Sequence, residues 1–145
     1  MTTDQKSAIA ETAIIHAAVT LGVGVFKPIT DGERYDLILD LRPRLVRVQC
    51  KWAVRRGDVV VVTCRSSRRG PRGMIQRLYT AREVDAVAAY CAETDRCYFV
   101  PIERVSDRPA IWLRLAPTRN NQRIGVNWAD DFDFEATLRA ALEGP

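Results

Sequence analysis

The sequence predicts an α/β domain built around a mixed β-sheet, and three observations carry that prediction. Runs of Ala, Ile and Leu at helical spacing open and close the chain, in residues 4–21 and in "DFDFEATLRAAL". Between them lie several short runs rich in Val, Ile and Leu, bounded by Gly, Pro and Asp as strands are. A third helical pattern, "TAREVDAVAAYCA", divides those strand runs into two groups. At 145 residues the chain reads as one domain, 1–145, large enough for a hydrophobic core without staples.

Each element has its own warrant. "DQKSAIAETAIIHAAVTL", residues 4–21, reads as an amphipathic helix that Gly22 closes. Ala8, Ile15 and Ala18, with Ile14 and Leu21 beside them, form its apolar stripe. Glu11 lies on that stripe's side, where a carboxylate is unexpected. "VGVFKPI" reads as a short strand and "TDGERY" as a polar loop. "RYDLILDLRPRLVRVQCKWA", residues 34–53, reads as a β-hairpin turning at Arg42 and Pro43. "DVVVVTCR" is apolar on both faces, as a central strand would be. "RSSRRGPRGMIQR" reads as a basic loop. "TAREVDAVAAYCA" begins with a capping box, Thr80 and Glu83, and Tyr79 can staple onto Val84. Val84, Val87, Ala88 and Cys91 would be the buried stripe of that helix. "RCYFVPI" and "AIWLRL" are strands, and Trp52, Trp112 and Trp128 are assigned to packing.

Composition narrows the function. No basic region followed by an apolar one opens the chain, and no apolar run approaches the roughly 20 residues of a membrane span. A cytoplasmic protein with no membrane partner is expected. Cys50, Cys64, Cys91 and Cys97 suit reduced thiols, three of them in apolar or strand-like runs, and the spacing of "CAETDRC" is unlike a zinc site. His16, the one histidine, reads as a partly buried helix residue. With no G-x-S-x-G and no G-x-x-x-x-G-K-[ST], neither a Ser nucleophile nor a P-loop is indicated.

Net charge is +4, and its distribution is more informative than its size. Twelve Lys or Arg and a single acidic residue, Asp58, fall between Arg42 and Arg82, while both flanks are net acidic. Such a segment points to a polyanion, nucleic acid first. Only Lys6, Lys27 and Lys51 are lysine. That tilt toward Arg fits phosphate and guanine contact, and fits a GC-rich genome equally well.

The hairpin poses the sharpest question. If Leu41 pairs with Arg44, then Tyr35 meets Cys50, Leu37 meets Val48 and Leu39 meets Val46, so one face is wholly apolar. The same register sets Asp36 opposite Gln49, with Lys51 two residues on, all within roughly 5–8 Å. One reading is an exposed sheet face with a charged pair of little consequence. The other is a metal site. With Glu11 brought beside it, the face offers two carboxylates and an amide oxygen, a donor set suited to Mg²⁺, and Lys51 can act on a phosphate or a water.

Glu in the first helix, Asp at the start of a strand and Q-x-K in the next resembles the PD-(D/E)XK nuclease superfamily. The ordered set "VFKPITDGERYDLILDL", "VRVQCKWA", "TCRSSRRG", "YTAREVDAVAAYC", "CYFVPIERV" and "NNQRIGVNWADDF" resembles its group I intron-encoded homing endonucleases of bacteria, over nearly the whole chain. The resemblance implies a restriction-endonuclease-like core, a central mixed sheet flanked by helices. It implies a Mg²⁺-dependent endonuclease, with Mn²⁺ able to substitute, that cuts double-stranded DNA at a specific site as a homo-oligomer, dimer or tetramer. Asp36 would be the central metal ligand, with Gln49 and the Cys50 backbone carbonyl beside it. Glu11 would hold metal-bound water, and Lys51 would assist the attacking water and the scissile phosphate. Gln49 departs from the acidic residue usual in the superfamily and removes one negative charge.

Residues flanking this set divide by type. Arg55 and Arg56 suit phosphate clamps. Ser66, Ser67, Arg68, Arg69 and Arg72 offer hydroxyls and guanidinium groups for phosphates and groove edges, and Asn120, Asn121 and Gln122 carry amides that can pair with adenine. Each of these is also an ordinary loop or turn composition. Two alternatives stand beside the homing endonuclease: a Holliday-junction resolvase or restriction-like nuclease, and a DNA-binding module without catalysis.

Overall fold

The computed structural model describes residues 1–120 and 124–144. Helix α1 (Thr3–Thr20) starts at Thr2, whose side chain and the Gln5 side chain form a reciprocal capping box. It ends in a Schellman motif: Gly22, at φ 78°, donates to Val19 O at 2.9 Å, and Val23 donates to Ala18 O at 3.0 Å. Ala10, Ile14, Ala17 and Ala18 are buried, whereas Ala8 and His16 are exposed. The buried stripe is therefore rotated from the one the sequence predicts. An exposed Ala forfeits only a methyl, so Ile14 decides which way the helix faces.

The strands are β1 (Gly24–Phe26), β2 (Leu37–Asp40), β3 (Leu45–Arg56), β4 (Val59–Thr63), β5 (Arg65–Gly70), β6 (Gly73–Leu78), β7 (Ala86–Cys91), β8 (Arg96–Pro101) and β9 (Ala110–Arg114); helix α2 spans Phe134–Glu143. Strands β1, β2 and β3 form an antiparallel meander, β7 lies parallel to β3, and β8 pairs antiparallel with β7. The far end of β3 turns into β4, which pairs with β9. The sheet is mixed and flanked by helices. No described helix is long and apolar enough to cross a membrane.

Two cores sit on its two faces. Ile14, Ala18, Phe134 and Leu138 of the helices cover Leu37, Leu39, Val46, Val48, Ala88 and Phe99. On the other face Val87, Ala89, Tyr98 and Val100 meet Val60, Val62, Ile111 and Leu113 of the β4–β9 wing. β3 is shared between them: Val46, Val48 and Cys50 lie with the helix-side core, Ala53 with the other. By alternation Gln49 and Lys51 fall on Ala53's side.

Two predicted elements and one residue differ. Residues 86–91 form a strand, not a helix, because β3 and β8 take up both edges of β7 and Ala86 through Ala89 are all fully buried. A short apolar run cannot be assigned by periodicity alone, and ladder pairing overrides alanine's helix preference. A single turn does form there, Glu83 and Val84 N–H both bonding Thr80 O at 3.0 Å, but in place of the capping box's side-chain-to-backbone bonds the Thr80 hydroxyl donates to Glu83 Oε1 at 3.0 Å. The basic "loop" is a two-stranded ribbon, β5–β6, paired from Arg65–Leu78 out to Gly70–Gly73. Trp112 is 64% exposed on β9 and is not a packing residue.

Candidate active site

Asp36 stands where the β2–β3 ladder stops. The predicted register holds from Asp40–Leu45 to Leu37–Val48, with Leu41 N–H closing the turn onto Arg44 O at 2.8 Å. Beyond it the chain departs from the pleat. Asp36 N–H bonds to Val48 O at 2.9 Å, and the Asp36 carboxylate accepts the Cys50 N–H at 2.9 Å. Tyr35 packs into the core opposite the helices while Cys50 packs on the helix side, so the predicted Tyr35–Cys50 pair does not form. Asp36 is turned to the end of the strand, between the two layers, rather than paired flat against Gln49.

That position brings together groups from both layers. Glu11, from α1, and Asp36 line one cleft of about 220 Å³, with Lys27, Thr30 and Tyr35 among its walls. Lys27 forms an ion pair with Glu11, which raises its own pKa. Burial pushes the Asp36 carboxyl up; the Cys50 N–H opposes that, the Glu11 charge adds to it, and the Lys51 and Lys27 charges oppose it. Gln49 and Lys51 do not line this cleft. Among the described residues no cluster of three or more His, Cys, Asp or Glu could hold a metal, so any ion here would need amide or backbone oxygen as well.

Lys51 approaches from the other layer. Burial pushes its ammonium down from the usual lysine range, and the Asp36 charge opposes the shift. Its Nζ donates to Arg65 O at 2.9 Å and lies 5.1 Å from the Tyr79 ring centroid. The Arg34 guanidinium lies 4.4 Å from the same centroid and donates to Leu78 O at 3.1 Å. Tyr79 is buried, and its hydroxyl is pushed up to about 12, by burial first.

The PD-(D/E)XK endonuclease profile matches residues 1–135 of the sequence. The chain belongs to the PD-(D/E)XK endonuclease family. The endonuclease is also similar to the solved structure of a bacterial homing endonuclease, I-Ssp6803I, at 26% identity and a TM-score of 0.75, covering 99% of this chain and 95% of that one. A search of curated proteins finds no match. Nucleases of this family typically use divalent metal ions, and their substrate is DNA.

The remaining candidates scatter over the endonuclease. Arg55 and Arg56 are exposed at the β3–β4 turn, where Arg55 Nε donates to Gly57 O at 2.8 Å. Four residues past Lys51 along a strand is roughly 13 Å, so they do not join the cleft. Ser66, Ser67, Arg68 and Arg69 lie on β5, and Arg72 at the ribbon's exposed tip. Asn120 is exposed in a turn; Asn121 and Gln122 lie outside the described residues. Sequence reasoning missed Lys27, Arg34 and Tyr79. Tyr79 was legible only as a helix staple, Lys27 only as a residue of a short strand and Arg34 only as a loop charge.

Proposed function

We propose that this chain is a single-domain, Mg²⁺-dependent endonuclease that cuts double-stranded DNA at a specific site as a homo-oligomer, in the manner of a homing endonuclease. The observation that carries the reading is the position of Asp36, at a strand end where a helix-borne carboxylate and a strand-borne ammonium both act on it. The donor set fits a small hard cation. Two carboxylates share a cleft in which one is already pushed up by burial, and an ammonium from Lys27 offsets part of their charge.

Asp36 and Glu11 would hold the divalent ion, Mg²⁺ or Mn²⁺, with the Gln49 amide oxygen and the Cys50 backbone carbonyl. When bound, the ion supplies Lewis acidity at the scissile phosphate and lowers the pKa of a water. Asp36 keeps its carboxylate oriented through the Cys50 N–H. Lys51 has two N–H donors left beside the one given to Arg65, enough to orient a water and neutralise charge developing on the phosphate. The β5–β6 ribbon has the form of a major-groove reader, with Arg68, Arg69 and Arg72 for phosphates and base edges. Likeness to a homing endonuclease over nearly all of both chains supports the site-specific reading.

The test is incubation with Mg²⁺ and a randomised duplex pool that includes a four-way junction, followed by sequencing of new ends. Ends sharing one long motif, absent with Lys51→Ala, are expected. Cutting of the junction alone, without sequence preference, would move the reading to a resolvase. DNA bound equally by both proteins and cut by neither would leave a binding module.

A further inference from the structure

Among the described residues the β5–β6 ribbon pairs only with itself, and an isolated two-stranded ribbon is held weakly in water. Its pose on the sheet is therefore set at its root, the Arg65–Leu78 rung. Two cations grip that rung, one on each strand. Lys51 Nζ donates to the Arg65 carbonyl at 2.9 Å, and Arg34 Nη2 donates to the Leu78 carbonyl at 3.1 Å. Both cations also share the ring of Tyr79, the residue that follows β6, at 5.1 and 4.4 Å from its centroid.

Arg34 is costly for a residue that merely packs. Its Nε is buried without a hydrogen-bond partner, and Glu83 Oε2 lies 3.6 Å away. A Met or Leu would fill the same space with no buried N–H to satisfy. What Arg34 supplies that they cannot is a bond to the ribbon, a cation on the ring and an ion pair with Glu83. We propose that Arg34 and Tyr79 are positioning residues that lock the ribbon's root to Lys51, so that the seat of the ribbon on DNA sets the direction of the catalytic ammonium. The inference rests on the reading of Lys51 as the residue that contacts the phosphate. An ammonium has three N–H donors; with one fixed on Arg65 O, the directions of the other two follow from the rung. Reading and cutting are thereby joined through one backbone carbonyl.

The probe is the duplex that wild type cuts fastest from the randomised pool. Single-turnover rates at saturating protein, affinities with Ca²⁺ replacing Mg²⁺, and thermal melting are measured for Arg34→Met, Tyr79→Leu, Tyr79→Phe and Lys51→Ala. A misplacement of order 1 Å costs on the order of 100-fold, so Arg34→Met and Tyr79→Leu should cut about 10- to 100-fold more slowly at saturation while binding within about threefold of wild type. Tyr79→Phe keeps the ring face and should cut at close to the wild-type rate. Should Arg34→Met fail to melt cooperatively, Arg34→Lys takes its place, expected to be slowed but less so. Wild-type speed in the Arg34 variant, a loss that vanishes at saturation, or Tyr79→Phe as slow as Tyr79→Leu overturns the coupling. Lys51→Ala cutting as fast as wild type overturns the role of Lys51, and the coupling with it.

Discussion

In the proposed metal site Gln49 is the uncharged member, and its effect there has a measurable direction. It is half-buried on β3, two residues before Lys51, and carries no charge. If the Gln49 amide oxygen is a ligand as proposed, a Glu there puts one negative charge on the ion, and at an effective dielectric near 20 even a partly screened charge a few ångströms from a divalent ion is worth more than about 1 kcal/mol. Gln49→Glu should therefore bind Mn²⁺ about tenfold tighter or more by calorimetry. Lys27 acts in the opposite sense, as a cation on Glu11, but its side chain is 61% exposed. Exposed pairs are worth little, so Lys27→Met should tighten Mn²⁺ binding only a few-fold. Equal affinities for wild type and Gln49→Glu would remove Gln49 from the site.

At the scale of elements, the turn at 80–85 decides whether the chain runs on as a helix or a strand, and Arg47 settles it. Its backbone N–H and guanidinium both bond Asp85, at 2.8 to 3.2 Å, and the guanidinium also reaches the carbonyls of Ala81 and Arg82. Asp85 N–H returns to Arg47 O at 2.9 Å, and β7 starts in register beside β3. Burial pushes the Asp85 carboxyl up, yet the Arg47 bonds outweigh it and hold the carboxyl below its usual range. A depressed carboxyl stabilises the fold above the unfolded pKa near 4 and loses that contribution as pH falls through its folded value. Asp85→Asn should cost about 1–2 kcal/mol in urea unfolding at pH 7, and the gap to wild type should close as the pH falls from the unfolded carboxyl's value through the lower folded one. A gap that persists at low pH would assign Asp85 a role other than its charge. This long-range clamp is also why β7 was illegible. "AVAAYC" carries helix-forming alanines behind the sequence pattern of a capping box, and nothing local reveals that two strands will flank it. The hairpin register, by contrast, was legible down to Leu37–Val48, since any slip would expose Leu37 and Leu39. The candidate site was legible as residue types. The layer each comes from was not, because Asp36 leaves the pleat just where alternation had placed it.

Across the whole molecule, five of the twelve basic residues between Arg42 and Arg82 (Arg65, Arg68, Arg69, Arg72 and Arg77) fall on the β5–β6 ribbon, which starts at Arg65, the residue whose carbonyl Lys51 bonds. Arg69 is exposed on that ribbon, so Arg69→Ala should weaken binding and reduce the salt slope of log K by about 1 if it neutralises a phosphate. Each chain carries one Asp36–Lys51 pair, whereas the two strands of a duplex present their scissile phosphates in opposite directions. A two-fold arrangement of copies meets both strands with the same geometry. The consequence is countable when wild type is mixed with Lys51→Ala before DNA is added. If one copy serves each strand, an equal mixture on supercoiled plasmid bearing the cleaved site should give about half nicked circles and about a quarter linear product, because only a paired wild-type assembly cuts twice. If one copy cuts both strands in succession, linear product should instead track the wild-type fraction, with no excess of nicked circles. The ratio of nicked to linear DNA at each mixing fraction therefore reports how many copies of this site a double-strand break consumes.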